Sequence, residues 1–167
     1  MVAIDESAGL SNACCRPFSP GGWGERRLIL RTTEEDVQVV SQTFYEAVAQ
    51  VMHADATAML TLWSEHNDVT YCDPYGQVHC GREALVDYWQ QAASRNSQAP
   101  GSVSATAELL MVQQSDEMVC MVLREHIQVR QQDRVTRLHA LATNIYRYEE
   151  QHWRMIHRHA GTPSEEN

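Results

Sequence analysis

Beyond Pro100-Gly101 the chain is built almost wholly of four long β-patterned runs, residues 102–113, 117–130, 134–149 and 151–160, parted only by Ser115-Asp116, Gln131-Gln132-Asp133 and Glu150. Connections this short join only antiparallel neighbours, because a parallel crossover needs about a dozen residues or more. The second half therefore predicts an antiparallel meander. Whatever precedes it has to cover one face of that sheet.

The first half supplies helices for the purpose. Thr33 followed by Glu34, Glu35 and Asp36 is an N-cap with acids in the first turn, and Val37, Val40, Phe44, Val48 and Val51 then recur at helical spacing. Asp55 opens a second helix with the stripe Ala58, Met59, Leu62 and Trp63. Gly81 precedes a third carrying Leu85, Tyr88, Trp89 and Ala92. Between these two, residues 69–73 and 77–80 read as a small hairpin turning at Pro74-Tyr75-Gly76. Helices first and strands afterwards predict an α+β layer fold.

Residues 1–31 lack apolar periodicity and accumulate Gly, Pro and Ser, so a tail is expected there, with one domain over residues 32–161 and a short tail over 162–167. A length of 167 residues leaves no room for a second catalytic domain.

Charge and composition exclude several functions. The formal net charge is −9 and no basic patch is present, which argues against nucleic acid and against anionic membrane surfaces. No apolar run approaches the ~20 residues that span a bilayer, and Asp5 and Glu6 stand where a secretory signal would be basic and then apolar; a cytoplasmic protein is expected. All 13 basic residues are Arg, which removes Schiff-base chemistry and the phosphate-loop lysine. The five cysteines, Cys14, Cys15, Cys72, Cys80 and Cys120, match no zinc or redox spacing, so reduced thiols are expected.

The candidate site residues lie around the sheet. Asp73, just before Pro74 at a strand end, has two possible uses: a turn carboxylate bonding the backbone ahead of it, or a base whose pKa a surrounding apolar cavity would raise. Strict alternation along the last strand puts His157 and His159 on one face with Trp153 and Met155, and turns Arg154 and Arg158 outward with Arg147 of the preceding strand. With His126 on a neighbouring strand these imidazoles would form a general base or a metal site; a zinc ion would need a third ligand, and an ordinary pocket histidine is the commoner use. Trp63, Tyr88 and Trp89 at helical spacing are expected to pack the core or line a pocket.

The order of helices, hairpin and bent four-stranded sheet resembles the nuclear transport factor 2-like superfamily, and within it the SnoaL-like branch. The resemblance runs from about residue 33 to 161. It is carried by Phe44-Tyr45-Glu46-Ala47, Asp55 to Leu62-Trp63, Asp73-Pro74-Tyr75-Gly76, Gly81-Arg82-Glu83-Ala84-Leu85 with Tyr88-Trp89, Ala142-Thr143-Asn144-Ile145-Tyr146, and Trp153 leading to His157-Arg158-His159. It implies a cone of three helices on a strongly curved, mostly antiparallel sheet, a pocket for a small organic ligand, no cofactor or metal, and a homodimer formed through the sheet.

Within the ketosteroid isomerase branch of that superfamily, the same Asp-Pro-x-Gly pattern carries the general base, which the resemblance places on Asp73. It places Asn144 where the isomerase has the acid of its oxyanion hole, and an amide there donates without needing a raised pKa. The isomerase's catalytic tyrosine position holds Ala47. Tyr45, two places away, is expected on another face of the helix, and Tyr71 or Tyr146 would supply the missing hydroxyl. The association domain of calmodulin-dependent kinases ends in a similar Trp-to-His-x-His run while serving assembly. Two functions follow. One is a cofactor-independent isomerase, dehydratase, cyclase or hydrolase with Asp73, Asn144 and His157 catalytic, and with Trp63, Tyr71, Tyr88, Trp89, His126, Tyr146, Met155 and His159 holding the substrate. The other is a non-catalytic binding or oligomerisation module.

Overall fold

A computed structural model describes residues 34–98 and 101–161; the tails expected over 1–31 and 162–167, and Cys14 and Cys15, lie outside the described residues. The elements are α1 (Glu34–Met52), α2 (Thr57–Leu62), β1 (Thr70–Cys72), β2 (Val78–Cys80), α3 (Arg82–Gln98), β3 (Gly101–Gln114), β4 (Met118–Gln131), β5 (Arg134–Glu149) and β6 (His152–Gly161). The strands form one curled, unclosed sheet in the order β2-β1-β6-β5-β4-β3. All neighbours are antiparallel except β1 and β6.

Local chemistry sets the boundaries. Asp55 Oδ1 accepts the Thr57 amide at 2.8 Å, satisfying a first-turn donor of α2. The amide of Arg82, at the start of α3, is taken at 2.9 Å by Asn67 Oδ1 from a separate segment. Gly81 just before it has φ +84°, and a Cβ there would meet Asn67 Oδ1 at 2.7 Å, so both the backbone and the capping contact require glycine. The β5–β6 connection places Glu150 and Gln151 at φ 48° and 69°, the left-handed pair that a tight hairpin demands even without glycine.

Helices cover the inner face of the sheet. Phe44, Ala47 and Val51 of α1, Met59 and Leu62 of α2, and Leu85, Trp89 and Ala93 of α3 are buried against Tyr71, Val119, Met121, Leu123, Ala142, Tyr146, Met155 and Ala160. Inner and outer residues alternate along β4 and β5 with the period of two that the strand pleat imposes.

β6 breaks that period. Tyr146 pairs with Met155 but Ile145 pairs with His157, so Ile156 is an extra residue with no partner across β5. One inserted residue reverses the parity of everything after it. Met155 faces inward before the bulge, Arg158 and Ala160 face inward after it, and His157 and His159 turn out. This corrects the expectation that His157 and His159 share a face with Trp153 and Met155, and the expectation that Arg158 points outward. The bulge falls where the flank of β6 changes: the Met155 carbonyl accepts the Ser64 amide at 2.9 Å, whereas from His157 onward β6 runs beside β1.

Candidate functional site

A row of inner-face residues crosses the sheet in register: Tyr71 of β1 beside Arg158 of β6, then Asn144 of β5, then Met121 of β4. Arg158 is the hub. Its guanidinium gives one hydrogen bond to each carboxylate oxygen of Glu125, at 3.0 and 2.8 Å, and a third at 2.8 Å to Asn144 Oδ1. The Phe44 ring lies under it at 4.2 Å. Glu125 is wholly buried and Arg158 is 2% exposed, so this is an ion pair inside the protein rather than a surface contact.

The pair reaches α1 through Tyr45, whose hydroxyl donates to Glu125 Oε1 at 2.6 Å. Tyr45, on a different face of α1 from the buried Ala47, sits on the flank that overhangs β3 and β4. It also lines a cleft of about 730 Å³ with Ser41, Gln42, Glu46 and Ala49 of α1, Ala105, Ala107 and Leu109 of β3, and Leu123 of β4. Such a volume suits a small organic molecule, and the three alanines are what leave it open.

Electrostatics fix the protonation of these groups. Burial, then the Glu125 charge, pushes the Tyr45 phenol far above its ordinary value, so it remains a neutral hydroxyl. Desolvation works against the Arg158 charge, but the Glu125 carboxylate outweighs it and the guanidinium pKa is raised. Burial also raises Tyr71, Tyr88 and Tyr146.

A second polar group sits at the β1–β2 hairpin. Asp73 is 3% exposed, and its Oδ1 accepts the amides of Tyr75 and Gln77, both at 2.9 Å, while its backbone pairs with Gln77 and Gly76. Those are the contacts of a turn aspartate. Its Oδ2 lies 3.9 Å from His79 Nε2, beyond hydrogen-bond reach. Around it the rings of Tyr71, His79, Tyr88 and Trp89 pack together, some stacked and some edge-to-face, at centroid distances of 4.3–5.9 Å.

Of the residues singled out in the sequence, Trp63, Tyr71, Asp73, Trp89, Asn144, Tyr146 and Met155 are buried within the cone and Tyr88 is half-buried at the hairpin end. Asn144 Nδ2 points to the Tyr146 hydroxyl at 3.5 Å. His157, His159 and His126 are on the outer face. His157 and His159 stand opposite Ile145 and Thr143, whereas His126 pairs with His139, four residues further along β5. Among the described residues no three His, Cys, Asp or Glu side chains converge as metal ligands, and Cys72 and Cys120 are free thiols.

With this geometry in place, the comparisons with known proteins agree. The profile of the SnoaL-like domain family matches residues 37–165. No curated protein matches the chain in sequence. Among solved structures, a candidate dehydratase of the NTF2-like family from Streptomyces avermitilis superposes with a TM-score of 0.64 at 18% identity, covering 77% of this chain and 95% of that one. A candidate calcium/calmodulin-dependent protein kinase type II association domain from Thiobacillus denitrificans gives 0.61 at 20% identity, covering 76% and 94%. An NTF2-like superfamily protein from Salmonella enterica gives 0.59 at 13%, covering 78% and 96%. The fold is that of the nuclear transport factor 2-like superfamily. Within it, the chain belongs to the SnoaL-like domain family. Among the described residues no helix is long and apolar enough to cross a membrane.

Proposed function

We propose that the chain binds a small organic ligand in the cleft between α1 and strands β3 and β4. The observation that carries this reading is Tyr45: a half-buried hydroxyl on the cleft wall, anchored at 2.6 Å to a fully buried carboxylate that Arg158 clamps in turn. Because its proton is committed to Glu125, Tyr45 offers lone pairs to the cleft. The matching ligand has an apolar body for Ala105, Ala107, Leu109 and Leu123, and a hydroxyl or amide N–H for Tyr45.

A catalytic reading rests on a separate observation. Both hydrogen bonds given for the Asp73 carboxylate fall on Oδ1, which leaves Oδ2 the lone pairs a base needs. In that reading Asp73 takes a proton next to a carbonyl, Asn144 Nδ2 holds the oxyanion, and Tyr71, Tyr88, Trp89 and Tyr146 shape the cavity, without a cofactor. His157, outside the cone, has no part in it. Two copies associate through the outer face at the end of the sheet where Leu110, Met111 and Met118 are 40–41% exposed.

Thermal unfolding against cyclic ketones, steroids, polyketide fragments and small carboxylates tests the binding reading. A ligand at about a hundred times its dissociation constant stabilises by roughly 2.7 kcal/mol. The shift should be lost in Tyr45→Phe and kept in Asp73→Asn; a shift indifferent to Tyr45 would overturn the placement. Turnover of such a ligand that collapses in Asp73→Asn, with binding retained, would support the catalytic reading.

A further inference from the structure

On the outer face, away from the cleft, His126 of β4 and His139 of β5 stand directly opposite each other in the ladder. Their Nδ1 atoms are 2.8 Å apart, with the rings nearly perpendicular at 84° and the centroids 4.7 Å apart. Both are exposed to solvent and border a shallow depression of about 200 Å³ shared with Thr106, Gln128 and Arg137. Thr106 completes the row on β3.

We propose that this pair is a bidentate site for a late divalent transition metal of the nickel(II) or copper(II) type. The spacing selects the class. Two imidazole nitrogens each about 2.0–2.1 Å from one ion are about 2.9 Å apart when they occupy adjacent corners of a square or octahedron, and about 3.3 Å apart in a tetrahedron. The observed 2.8 Å is the hydrogen bond between the two rings; a cis chelate opens it least, which favours the square or octahedral geometry of nickel(II) and copper(II) over tetrahedral zinc.

The backbone stays in place while the rings turn, so that both lone pairs leave the N···N line and point at one ion. Two paired strands hold the ligands, so no loop has to be ordered for chelation. Without metal, one Nδ1 carries a proton and the other accepts it; coordination needs both protons on Nε2, on rings that solvent reaches. Water fills further positions. The nearby charges bias the choice of ion: Arg124 is paired with Glu108 at 2.5 Å, and among the described residues lining the depression Arg137 brings a positive charge. That charge disfavours magnesium and calcium, which depend on anionic oxygen ligands, more than an ion gripped by two imidazoles.

The test titrates untagged full-length chain, stripped with chelator, with nickel(II), an ion that leaves thiols unoxidised. One equivalent should bind, with affinity falling at least about tenfold in His126→Gln or His139→Gln and unchanged in a His157→Gln/His159→Gln double variant. In the wild-type chain, sub-stoichiometric nickel(II) should broaden the amide resonances of Thr106, His126 and His139 first. Affinity that survives both single substitutions, or broadening that begins at His157 and His159, would overturn the proposal.

Discussion

Arg158 and Glu125 meet inside the cone through two parallel hydrogen bonds of 2.8 and 3.0 Å, with neither charge reaching solvent. A buried pair of this kind stabilises little relative to apolar residues of the same shape, but breaking it is expensive because the survivor is left charged and dry. Arg158→Leu should therefore cost about 3–5 kcal/mol. The double variant Arg158→Leu/Glu125→Leu should recover part of that loss. Denaturant midpoints of the three proteins measure it.

Asp73 separates turn from base through the choice of replacement. Asn keeps an oxygen for the amides of Tyr75 and Gln77, so Asp73→Asn should stay within about 1 kcal/mol of wild type, while Asp73→Ala leaves both donors unpaired and should lose about 1–3 kcal/mol. Equal losses would mean that the carboxylate charge, not the turn, is what the fold uses.

His157 gives the outer face a pH dependence. Burial, and then the neighbouring His159, lowers its pKa below the ordinary 6.5 of a histidine. The unfolded chain then takes up a proton that the folded one resists. The contribution is complete above the unfolded value and is lost as pH falls from about 6.5 toward the depressed folded value. Urea midpoints should drop as pH falls below about 6.5, and His157→Gln should flatten the slope. A slope that is the same in wild type and variant would place the titration elsewhere.

Association through the outer face predicts that Met111→Arg, which sets a charge opposite Val122, converts a dimer to a monomer in sedimentation velocity without changing the thermal midpoint of the isolated fold. A wild-type chain that sediments as a monomer at all concentrations would refute the dimer.

Most of the fold is legible in the sequence because each element carries its own signal. The hairpin turn at Pro74-Tyr75-Gly76, the Asp55 acceptor before α2 and the short links between β3, β4, β5 and β6 are local chemistry, and they stand where the sequence predicts. The family assignment rests on the same signals in order. The site is less legible. Alternation is read by counting, and a bulge at Ile156 that nothing in Met155-Ile156-His157 announces moves every later residue to the other face. That single slip exchanged His157 and His159 for Arg158. Glu125 left a usable trace, an acid at the next inward position after Val119, Met121 and Leu123. Its partner on α1 left none, since the reach of Tyr45 depends on how the helix tilts across β3 and β4.

The most direct measurement is a map of backbone amide shifts on titrating the strongest thermal-shift ligand into the labelled chain. Binding in the cleft predicts that the largest changes fall on residues 41–49 of α1 and on Ala105, Ala107, Leu109 and Leu123, with Glu125 and Arg158 following through Tyr45. Changes confined to the β1–β2 hairpin around Asp73, or to the outer face, with α1 undisturbed, would contradict it.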